Sequence, residues 1–382
     1  MGPLAGFRVL ELEAIGPVPF CGMMLADMGA DVLLVDRTDD PRLGFGRERW
    51  YDIMMRGRRS LMLDLKSADG VKAVLDLVTK ADALIEGFRP AVLERLGLGP
   101  DLLLAHNPKL VIGRMTGWGQ DGPLASRAGH DIDYIALSGV LHAIGHAGER
   151  PVPPINLVGD FGGGGMLLAF GVVCALHETA RSGRGQVIDA AMIEGAGVLS
   201  TMVWGMRAAQ HWHDERGVNV LDSGAPWYDT YETRDGKYVA IGAIEPKFYT
   251  ELLRGLDLDA ASLPPQHDRN GWPTIRDAIA HAFATKTRDE WQKIFEATDA
   301  CAAPVLTFAE AAVHPHAMAR GSHIDVDGIL QPAPAPRFSR TPGQVSHGPP
   351  ERGARGRDAL RDWGFDEAAV ERLAALGVRF SD

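Results

Sequence analysis

The sequence predicts an α/β protein, with a parallel β-sheet covered by helices and a smaller α+β domain beside it. Two observations lead to this prediction. Short apolar strands alternate with helical segments through the first third of the chain, which is typical of a parallel sheet with crossover helices. Near residue 225 the pattern changes to a β-hairpin followed by helices.

Hydrophobic periodicity and turn signals define the elements of the first third. Helices are predicted at 67–80, where Ser67 has the residue type of an N-cap, and at 19–28, which ends near Gly29. Strands are predicted at 7–12, 31–36, 82–86 and 109–114. These strands are short and apolar, as expected of strands that are buried on both faces.

The later part of the chain is predicted to be mostly helical around one hairpin. The hairpin strands flank Arg234-Asp235-Gly236. The helices are expected at 160–181, after a glycine-rich start, and at 190–211, 245–254, 272–295 and 366–376. A proline-rich linker at 331–336 returns the chain to the last helix.

These elements predict a chain of two domains. The first part of a large domain is placed at 1–190 and a helical linker at 191–224. The small domain is placed at 225–320, and a return linker with the C-terminal part of the large domain at 321–382.

Composition narrows the class of protein. The chain has 382 residues, 46% of them hydrophobic, and a formal net charge of -11, which argues against a nucleic-acid partner. We see no run of about 18 uncharged apolar residues and no secretory pattern, and therefore expect no membrane partner. Three scattered cysteines indicate neither a disulfide framework nor a metal site. We expect a cytoplasmic protein.

A basic run interrupts this acidic chain. Between Arg47 and Arg59 lie five arginines against only Glu48 and Asp52. The run has two interpretations, a solvated charged loop or a site for a polyanion such as nucleotide phosphates. Ligands of parallel sheets lie beyond the carboxyl ends of the strands. Three further arginines fall at or just after predicted strand ends, namely Arg37, Arg89 and Arg114.

A nicotinamide-cofactor site is disfavoured by the first strand-to-helix turn. Asp36 follows Gly16 at about the spacing of a ribose-binding acid. However, the turn lacks the G-x-G-x-x-G pattern, and Pro17 and Pro19 remove backbone N–H groups that a pyrophosphate needs. The glycines 162–165 are not followed by Gly-Lys-Ser/Thr, so they do not form a phosphate loop either.

Three widely separated segments carry a more specific signal. They are Gly129-His130-Asp131-Ile132-Asp133-Tyr134, Asn156-Leu157-Val158-Gly159-Asp160-Phe161-Gly162-Gly163-Gly164 and Gly242-Ala243-Ile244-Glu245-Pro246. In this order they resemble the α-methylacyl-CoA racemases, a branch of the class III CoA-transferase (CaiB/BaiF) family. Supporting matches extend over nearly the whole chain, at 2–6, 64–66, 94–100, 115–120, 185–190 and 299–301.

The resemblance implies a fold, an activity and an assembly. It implies a Rossmann-like large domain built from both chain termini, a small domain between them, and an interlocked homodimer with its active sites at the subunit interface. His130 and Asp160 would exchange the α-proton of a 2-methyl-branched acyl-CoA, and Glu245 of the partner subunit would pair with His130. CoA would be part of the substrate, with no separate cofactor.

The resemblance also implies positions that bind the CoA part of the substrate. Some of them, such as Arg37 and Arg89, fall at or just after predicted strand ends, and others lie around His130. Arg37, Arg89, Arg95 and Lys66 would hold the phosphates through charge-assisted hydrogen bonds, and Arg58 or Arg59 would either join them or face solvent. The other positions are Leu63, Asp64, Leu65, Gly87, Phe88, Gly129, Ile132, Asp133 and Tyr134.

The chemistry agrees with these residue types. Racemisation needs one group that removes a proton from one face of the α-carbon and another that delivers a proton to the opposite face. An imidazole and a carboxylic acid can both exchange protons near neutral pH when their surroundings tune them. A helix that begins near Asp131 would aim its backbone N–H at the enolate oxygen.

Alternatives remain for the same residues. Class III CoA-transferases use an aspartate nucleophile, and the matching position here is Asp131. A non-catalytic acyl-CoA-binding protein is the third possibility. His130, Asp160 and Glu245 could each be no more than a helix-capping residue. The methionines at 192, 202 and 206 could pack in the core or form an adaptable wall for the acyl chain.

The sequence departs from the family pattern at three positions. Glu13 stands where these proteins usually have a small residue, and Val18 stands where glycine is common. Ser223 replaces a glycine in Leu221-Asp222-Ser223-Gly224. These departures concern local turn geometry or acyl-chain preference more than the type of reaction.

Overall fold

The computed structural model describes residues 2–39 and 48–381. The chain forms two compact units. The first comprises Met1–Ser138, Pro154–Leu199 and Ala319–Asp382, and the second comprises Gly139–Pro153 and Ser200–Met318. The division of the chain at residues 190, 224 and 320 stays a prediction.

A parallel sheet lies at the centre of the first unit. Its six strands, counted over the described residues, are β1 (Arg8–Leu12), β2 (Asp31–Asp36), β3 (Arg58–Met62), β4 (Ala83–Glu86), β5 (Val111–Thr116) and β6 (Val187–Ala191). The order is β3-β2-β1-β4-β5-β6, and every neighbouring pair is parallel. This is the order of a doubly wound sheet whose two halves diverge from β1 and β4. The predicted fold class is confirmed.

The helices of the first unit connect and cover these strands. They are α1 (Pro17–Asp27), α2 (Ala68–Val78), α3 (Val92–Arg95), α4 (Pro100–His106), α5 (Asp131–Leu137), a π-helix (Leu157–Met166), α6 (Leu167–Ser182) and α7 (Met192–Leu199). Ser67 caps α2, since its hydroxyl accepts the N–H of Gly70 at 2.9 Å.

Alternate residues of the strands pack into different cores. Leu10 and Leu12 of β1 lie in the core that also contains α2 and α4, whereas Val9 lies in the core on the opposite face, with α1 and α6. This alternation follows from the period of two along a strand. Both faces are covered by helices, which explains why the strands are apolar throughout.

The second unit is the predicted smaller α+β structure. Its elements are α8 (Thr201–Ala208), β7 (Tyr228–Glu232), β8 (Tyr238–Gly242), α9 (Pro246–Gly255), α10 (Trp272–Phe283), α11 (Arg288–Phe295), β9 (Ala302–Pro304) and α12 (Phe308–Val313). The strands form an antiparallel sheet in the order β7-β8-β9. Trp227, Trp291 and Phe283 are buried in its core.

The C-terminal part of the chain completes the list of elements. It contains α13 (Pro315–Arg320), the hairpin β10 (His323–Val326) and β11 (Ile329–Pro332), α14 (Gly356–Asp362) and α15 (Glu367–Ala375). Leu360 of α14 and Val370 of α15 pack into the core that contains α2. Residues from both ends of the chain therefore build the first unit.

Several local predictions were wrong. The helices expected at 190–211 and 272–295 are each two helices, interrupted near Ser200 and at 284–287. β3 and β6 were not predicted, because β3 is rich in arginine and β6 lacks a clear apolar run. Met192 is buried as expected of core packing, whereas Met202 is exposed. Part of the proline-rich linker is strand β11.

The π-helix and α6 bear on the expectation that the chain has no segment able to cross a membrane. They form one continuous helix, Leu157–Ser182, whose length and apolar composition would suffice to cross a membrane. Leu168, Val172 and Leu176 of this helix are buried against the parallel sheet. Because one face packs in a protein core, we interpret it as the core helix of a globular unit.

Candidate active site at the carboxyl edge of the sheet

The residues predicted to bind substrate lie on segments that leave the carboxyl edge of the sheet. Arg37 follows β2, Leu63–Lys66 follow β3, and Gly87–Arg89 follow β4. His130 precedes α5, and Asp160 lies in the π-helix that leads into α6. Parallel strands end at the same edge, so the topology brings these segments to one side of the first unit.

His130 is the N-cap residue of α5 and is exposed. Its backbone N–H donates to the carboxylate of Asp133 at 2.9 Å, and its carbonyl accepts the N–H of Asp133 at 2.9 Å. These two bonds fix the backbone of the residue through the first turn of the helix. The exposure of the residue leaves it open to solvent.

Asp160 is half-buried, and its carboxylate has a defined position. The side-chain amide of Asn156 donates to Oδ2 of Asp160 at 3.0 Å. Gly16, at φ 66°, lies so close that a Cβ there would be 3.2 Å from the same oxygen. Burial raises the pKa of Asp160, Asn156 lowers it, the charge of Asp131 raises it, and that of His130 lowers it. A carboxyl whose pKa is raised is suited to carry a proton.

Asp131 begins α5, and its carboxylate points into the protein. Only 6% of the residue is exposed, and Oδ1 accepts the backbone N–H of Asp160 at 2.7 Å. Oδ2 is buried and has no hydrogen-bond partner among the described residues. Burial raises the pKa of Asp131, and backbone N–H groups of Asp160 and Gly159 lower it.

Tyr134 packs against the segment that precedes His130. Its hydroxyl donates to the carbonyl of Gly129, and its ring makes an edge contact with Trp118 at a centroid distance of 4.8 Å. A Cβ at Gly117 would lie 2.1 Å from the ring, so only glycine fits there. Tyr134 therefore supports the loop before His130, a role that the resemblance did not distinguish from CoA contact.

Glu245 lies in the second unit, as the exposed N-cap residue of α9, with Pro246 in the first turn. The predicted helix start is confirmed. Cys301 of the same unit lies near Glu245, whose charge contributes to raising the pKa of that thiol after burial. The pairing of Glu245 with His130 stays a prediction.

Four basic side chains assigned to CoA share one property. Within residues 2–39 and 48–381, none of them forms a side-chain hydrogen bond or ion pair with another residue. They are Arg37, Lys66, Arg89 and Arg95. Arg37 and Arg89 lie just after β2 and β4, where a phosphate-bearing ligand of a parallel sheet is expected, whereas Lys66 lies four residues after β3 and Arg95 ends α3.

The arginines described between Arg47 and Arg59 form neither a solvated charged loop nor a site for a polyanion. They form ion pairs within the protein. Arg58 is fully buried and donates to Glu11 at 2.7 Å, so it neither faces solvent nor reaches CoA. Arg59 binds Asp31, and Asp362 at 2.5 Å. Each side chain neutralises an acid of the sheet or its flanks. Arg47 lies outside the described residues.

The same correction applies to three more arginines. Arg49 binds Asp36, Arg56 binds Asp27 at 2.6 Å, and Arg114 binds Glu86 at 2.9 Å and Glu94 at 2.7 Å. Buried charges require such partners, because an unpaired buried carboxylate is costly. Asp36 forms an ion pair with Arg49, so its carboxylate is not free to bind a ribose hydroxyl.

Glu13 was singled out only as a departure from the family, and the structure gives it a role. Its carboxylate accepts the backbone N–H of Arg37 at 2.8 Å and side-chain N–H groups of Arg352 at 2.5 and 3.2 Å. The residue is buried. It therefore ties the end of β2 to the C-terminal part of the chain, a contact that local sequence could not reveal.

No group of three or more metal-binding side chains occurs within residues 2–39 and 48–381. The site instead combines an imidazole, a half-buried carboxyl and free cations at the edge of a doubly wound sheet. Such features are typical of a site for a phosphate-bearing substrate and for proton exchange.

Comparison with known proteins assigns the chain to a family. The model of CoA-transferase family III matches residues 4–356, and the chain belongs to this family. It is 48% identical over 381 residues to α-methylacyl-CoA racemase of Mus musculus, covering 99% of this chain and 98% of that protein. The human α-methylacyl-CoA racemase is 44% identical over 376 residues, covering 97% and 96%.

More distant relatives include transferases, and solved structures share the fold. Succinyl-CoA–D-citramalate CoA-transferase of Chloroflexus aurantiacus is 33% identical, covering 98% of each chain. A CAIB/BAIF family protein from Brucella suis superposes with a TM-score of 0.81 at 25% identity, covering 95% of this chain and 99% of that chain. Rv3272 from Mycobacterium tuberculosis gives 0.78 at 27% identity, covering 93% and 98%.

Proposed function

We propose that this protein is an isomerase that racemises the α-carbon of 2-methyl-branched acyl-CoA thioesters. The observation that carries the proposal is the placement of an exposed imidazole, His130, and a half-buried carboxyl, Asp160, in one unit, where Asp131, the residue after His130, accepts the backbone N–H of Asp160 at 2.7 Å. The similarity to two α-methylacyl-CoA racemases over nearly the whole chain supports the same reaction.

The proposed reaction is a 1,1-proton transfer through an enolate. One of His130 and Asp160 removes the α-proton, and the C–H electron pair moves onto the thioester oxygen. The other group then delivers a proton to the opposite face, which regenerates the thioester with inverted configuration. The N–H of Asp131, at the first position of α5, is not used by the helix and is our candidate donor to the enolate oxygen.

The free cations support the proposed CoA contacts. Arg37, Lys66, Arg89 and Arg95 would bind the phosphates, and the loop from Gly129 to Tyr134 would approach the thioester. Gly87 packs closely against the first unit's own side chains, since a Cβ there would lie 3.0 Å from Val18 and 3.2 Å from Ala14. No cofactor besides the CoA of the substrate is needed in this scheme.

We further propose a homodimer in which Glu245 of the partner subunit supports His130. The support in the first unit is an exposed apolar face on one helix, formed by Met166, Phe170 and Val173. These residues recur at helical spacing and form one apolar face. Exposed apolar faces of this kind mark sites of protein–protein contact. A cytoplasmic location, a role in fatty-acid metabolism and the lack of a membrane partner are expectations of the same proposal.

The transferase alternative is less well supported. An aspartate nucleophile must reach an acyl carbon, whereas Asp131 is buried and one of its oxygens is occupied by the N–H of Asp160. The similarity to CoA-transferases is also lower than the similarity to racemases.

One experiment separates the alternatives. A single epimer of a 2-methylacyl-CoA is incubated with the protein in deuterated water without free acid. Epimerisation with incorporation of α-deuterium is expected. Absence of exchange together with CoA transfer to a labelled carboxylic acid would favour the transferase, and binding with neither reaction would leave a non-catalytic CoA-binding protein.

A further inference from the structure

We propose that the Asp131 side chain is a positioning residue for Asp160, holding the start of its helix and placing a negative charge beside its carboxyl group. The inference rests on the proposed racemase function and extends it, because it assigns the buried carboxylate of Asp131 a role separate from its backbone N–H.

The first argument is the contact itself. Oδ1 of Asp131 accepts the backbone N–H of Asp160 at 2.7 Å, within the π-helix Leu157–Met166. This N–H belongs to the first turn of that helix, where donors have no partner within the helix. The carboxylate of one helix thereby caps the helix that carries the second proton-transferring group.

The second argument is steric. A Cβ at Gly159 would lie 2.3 Å from Oδ1 of Asp131 and 3.2 Å from Ile135. The Gly159-Asp160 pair in the sequence is thus explained, because only glycine lets the π-helix approach the carboxylate closely enough for the hydrogen bond. The 6% exposure of Asp131 leaves no open approach for a substrate carbon, so its carboxylate acts on Asp160 and not on the substrate.

The third argument is electrostatic. Two charges act on Asp160: that of Asp131, which raises its pKa, and that of His130, which lowers it. Burial also raises the pKa of Asp160, and the hydrogen bond from the amide of Asn156 also lowers it. Just before α1, the backbone of Gly16 lies next to the carboxylate of Asp160. In α5, the charge of Asp160 contributes to raising the pKa of the Tyr134 hydroxyl. Burial is the larger cause, and the charge of Asp131 adds to it in raising the pKa of Asp160.

The test compares two substitutions with a matched control. Asp131→Asn retains an acceptor for the N–H of Asp160 and removes the charge, whereas Asp131→Ala removes both. The control is Asp366→Asn. In the unsubstituted protein the carboxylate of Asp366 also accepts a backbone N–H at 2.7 Å, from Ala369 at the start of α15. Epimerisation with α-deuterium incorporation is measured as kcat and KM against pH, and folding is checked by circular dichroism.

We expect Asp131→Asn to move the acid limb of the pH profile to lower pH, because the His130–Asp160 pair loses a neighbouring negative charge. Asp131→Ala should lower kcat about 100-fold through misplacement of Asp160, with KM unchanged and with Asp131→Asn partly restoring kcat. Asp366→Asn should leave both the fold and the profile in place, because asparagine caps a helix about as well as aspartate.

Three results would overturn the inference. These are an unmoved acid limb in folded Asp131→Asn, an Asp131→Asn chain that does not fold, and an Asp131→Ala protein that retains proton exchange but loses CoA transfer. The last result would make Asp131 a nucleophile. If the unsubstituted protein itself exchanges no α-proton, the racemase proposal fails, and this inference fails with it.

Discussion

The side-chain amide of Asn156 donates a 3.0 Å hydrogen bond to the carboxylate of Asp160, four residues further along the chain. This bond stabilises the charged form of Asp160 and so lowers its pKa, against the larger effect of burial. Asn156→Ala should therefore raise the pKa of Asp160 further. The acid limb of the pH profile of α-proton exchange, where a proton must leave the His130–Asp160 pair, should move to higher pH.

Asn107→Ala is the matched control for this prediction. The amide of Asn107 donates to the carbonyls of Val78 and Ala81, at 2.9 and 2.8 Å, on the other face of the sheet. Its loss should reduce stability without moving the limb. A limb that moves to lower pH in Asn156→Ala would contradict the assignment of Asp160 as a titrating group of the reaction.

The two proton-transferring groups should be individually indispensable. We predict that His130→Ala and Asp160→Ala each lower the rate of epimerisation by about 100- to 10,000-fold, because each removes one of two general acid–base groups. His106→Ala, at an exposed histidine of α4, should keep the unsubstituted rate. Full activity of either site variant, measured by loss of optical purity and by deuterium incorporation, would refute the two-group scheme.

Much of the first unit could be predicted because its signals are local. The apolar strands β1, β2, β4 and β5 and the cap at Ser67 follow from periodicity and turn residues. β3 escaped prediction because Arg58 and Arg59 in it looked like surface residues, whereas their partners come from distant parts of the chain. Ion pairs of this kind depend on tertiary contacts that no local pattern carries.

The candidate site divides in the same way. The ordered motifs around His130, Asp160 and Glu245 indicated residue types and chemistry through resemblance. They could not indicate that Asp131 points inward, since that depends on the approach of the π-helix. The motifs also could not show which arginines form ion pairs. The partners of these arginines are acidic residues of strands β1, β2 and β4, whose positions depend on the tertiary fold.

The contact between Glu13 and Arg352 should contribute measurably to stability. Glu13 is buried, and its carboxylate binds Arg352 at 2.5 Å. In a double-mutant cycle of Glu13→Ser and Arg352→Gln, we expect a coupling energy of about 1–3 kcal/mol from urea unfolding. The exposed pair Arg361–Glu367 is the control and should give about 0–1 kcal/mol. Equal coupling in both pairs would show that Glu13 is not a structural anchor.

The exposed apolar face formed by Met166, Phe170 and Val173 should be needed for self-association. Phe170 is 65% exposed, and placing a charge there would bury a carboxylate in the proposed dimer. We predict that Phe170→Glu shifts the protein from dimer to monomer in analytical ultracentrifugation and lowers activity with it. Leu102→Glu, at an exposed leucine of α4, should leave the assembly state unchanged. A monomeric unsubstituted protein that is fully active would remove the need for a partner subunit.

Ser223 offers a prediction about stability alone. It has φ 70°, a left-handed conformation that costs a serine about 1–3 kcal/mol and costs glycine little. Ser223→Gly should therefore stabilise the protein by about 1 kcal/mol after the entropy that glycine adds to the unfolded chain, seen as a rise in Tm of roughly 2 °C. Ser262→Gly is the control in the same unit, because Ser262 lies in a 3-10 helix and its hydroxyl donates to the carbonyl of Asp259 at 2.7 Å. That substitution should lower Tm. A fall in Tm for Ser223→Gly would mean that contacts of the serine hydroxyl outweigh the backbone strain.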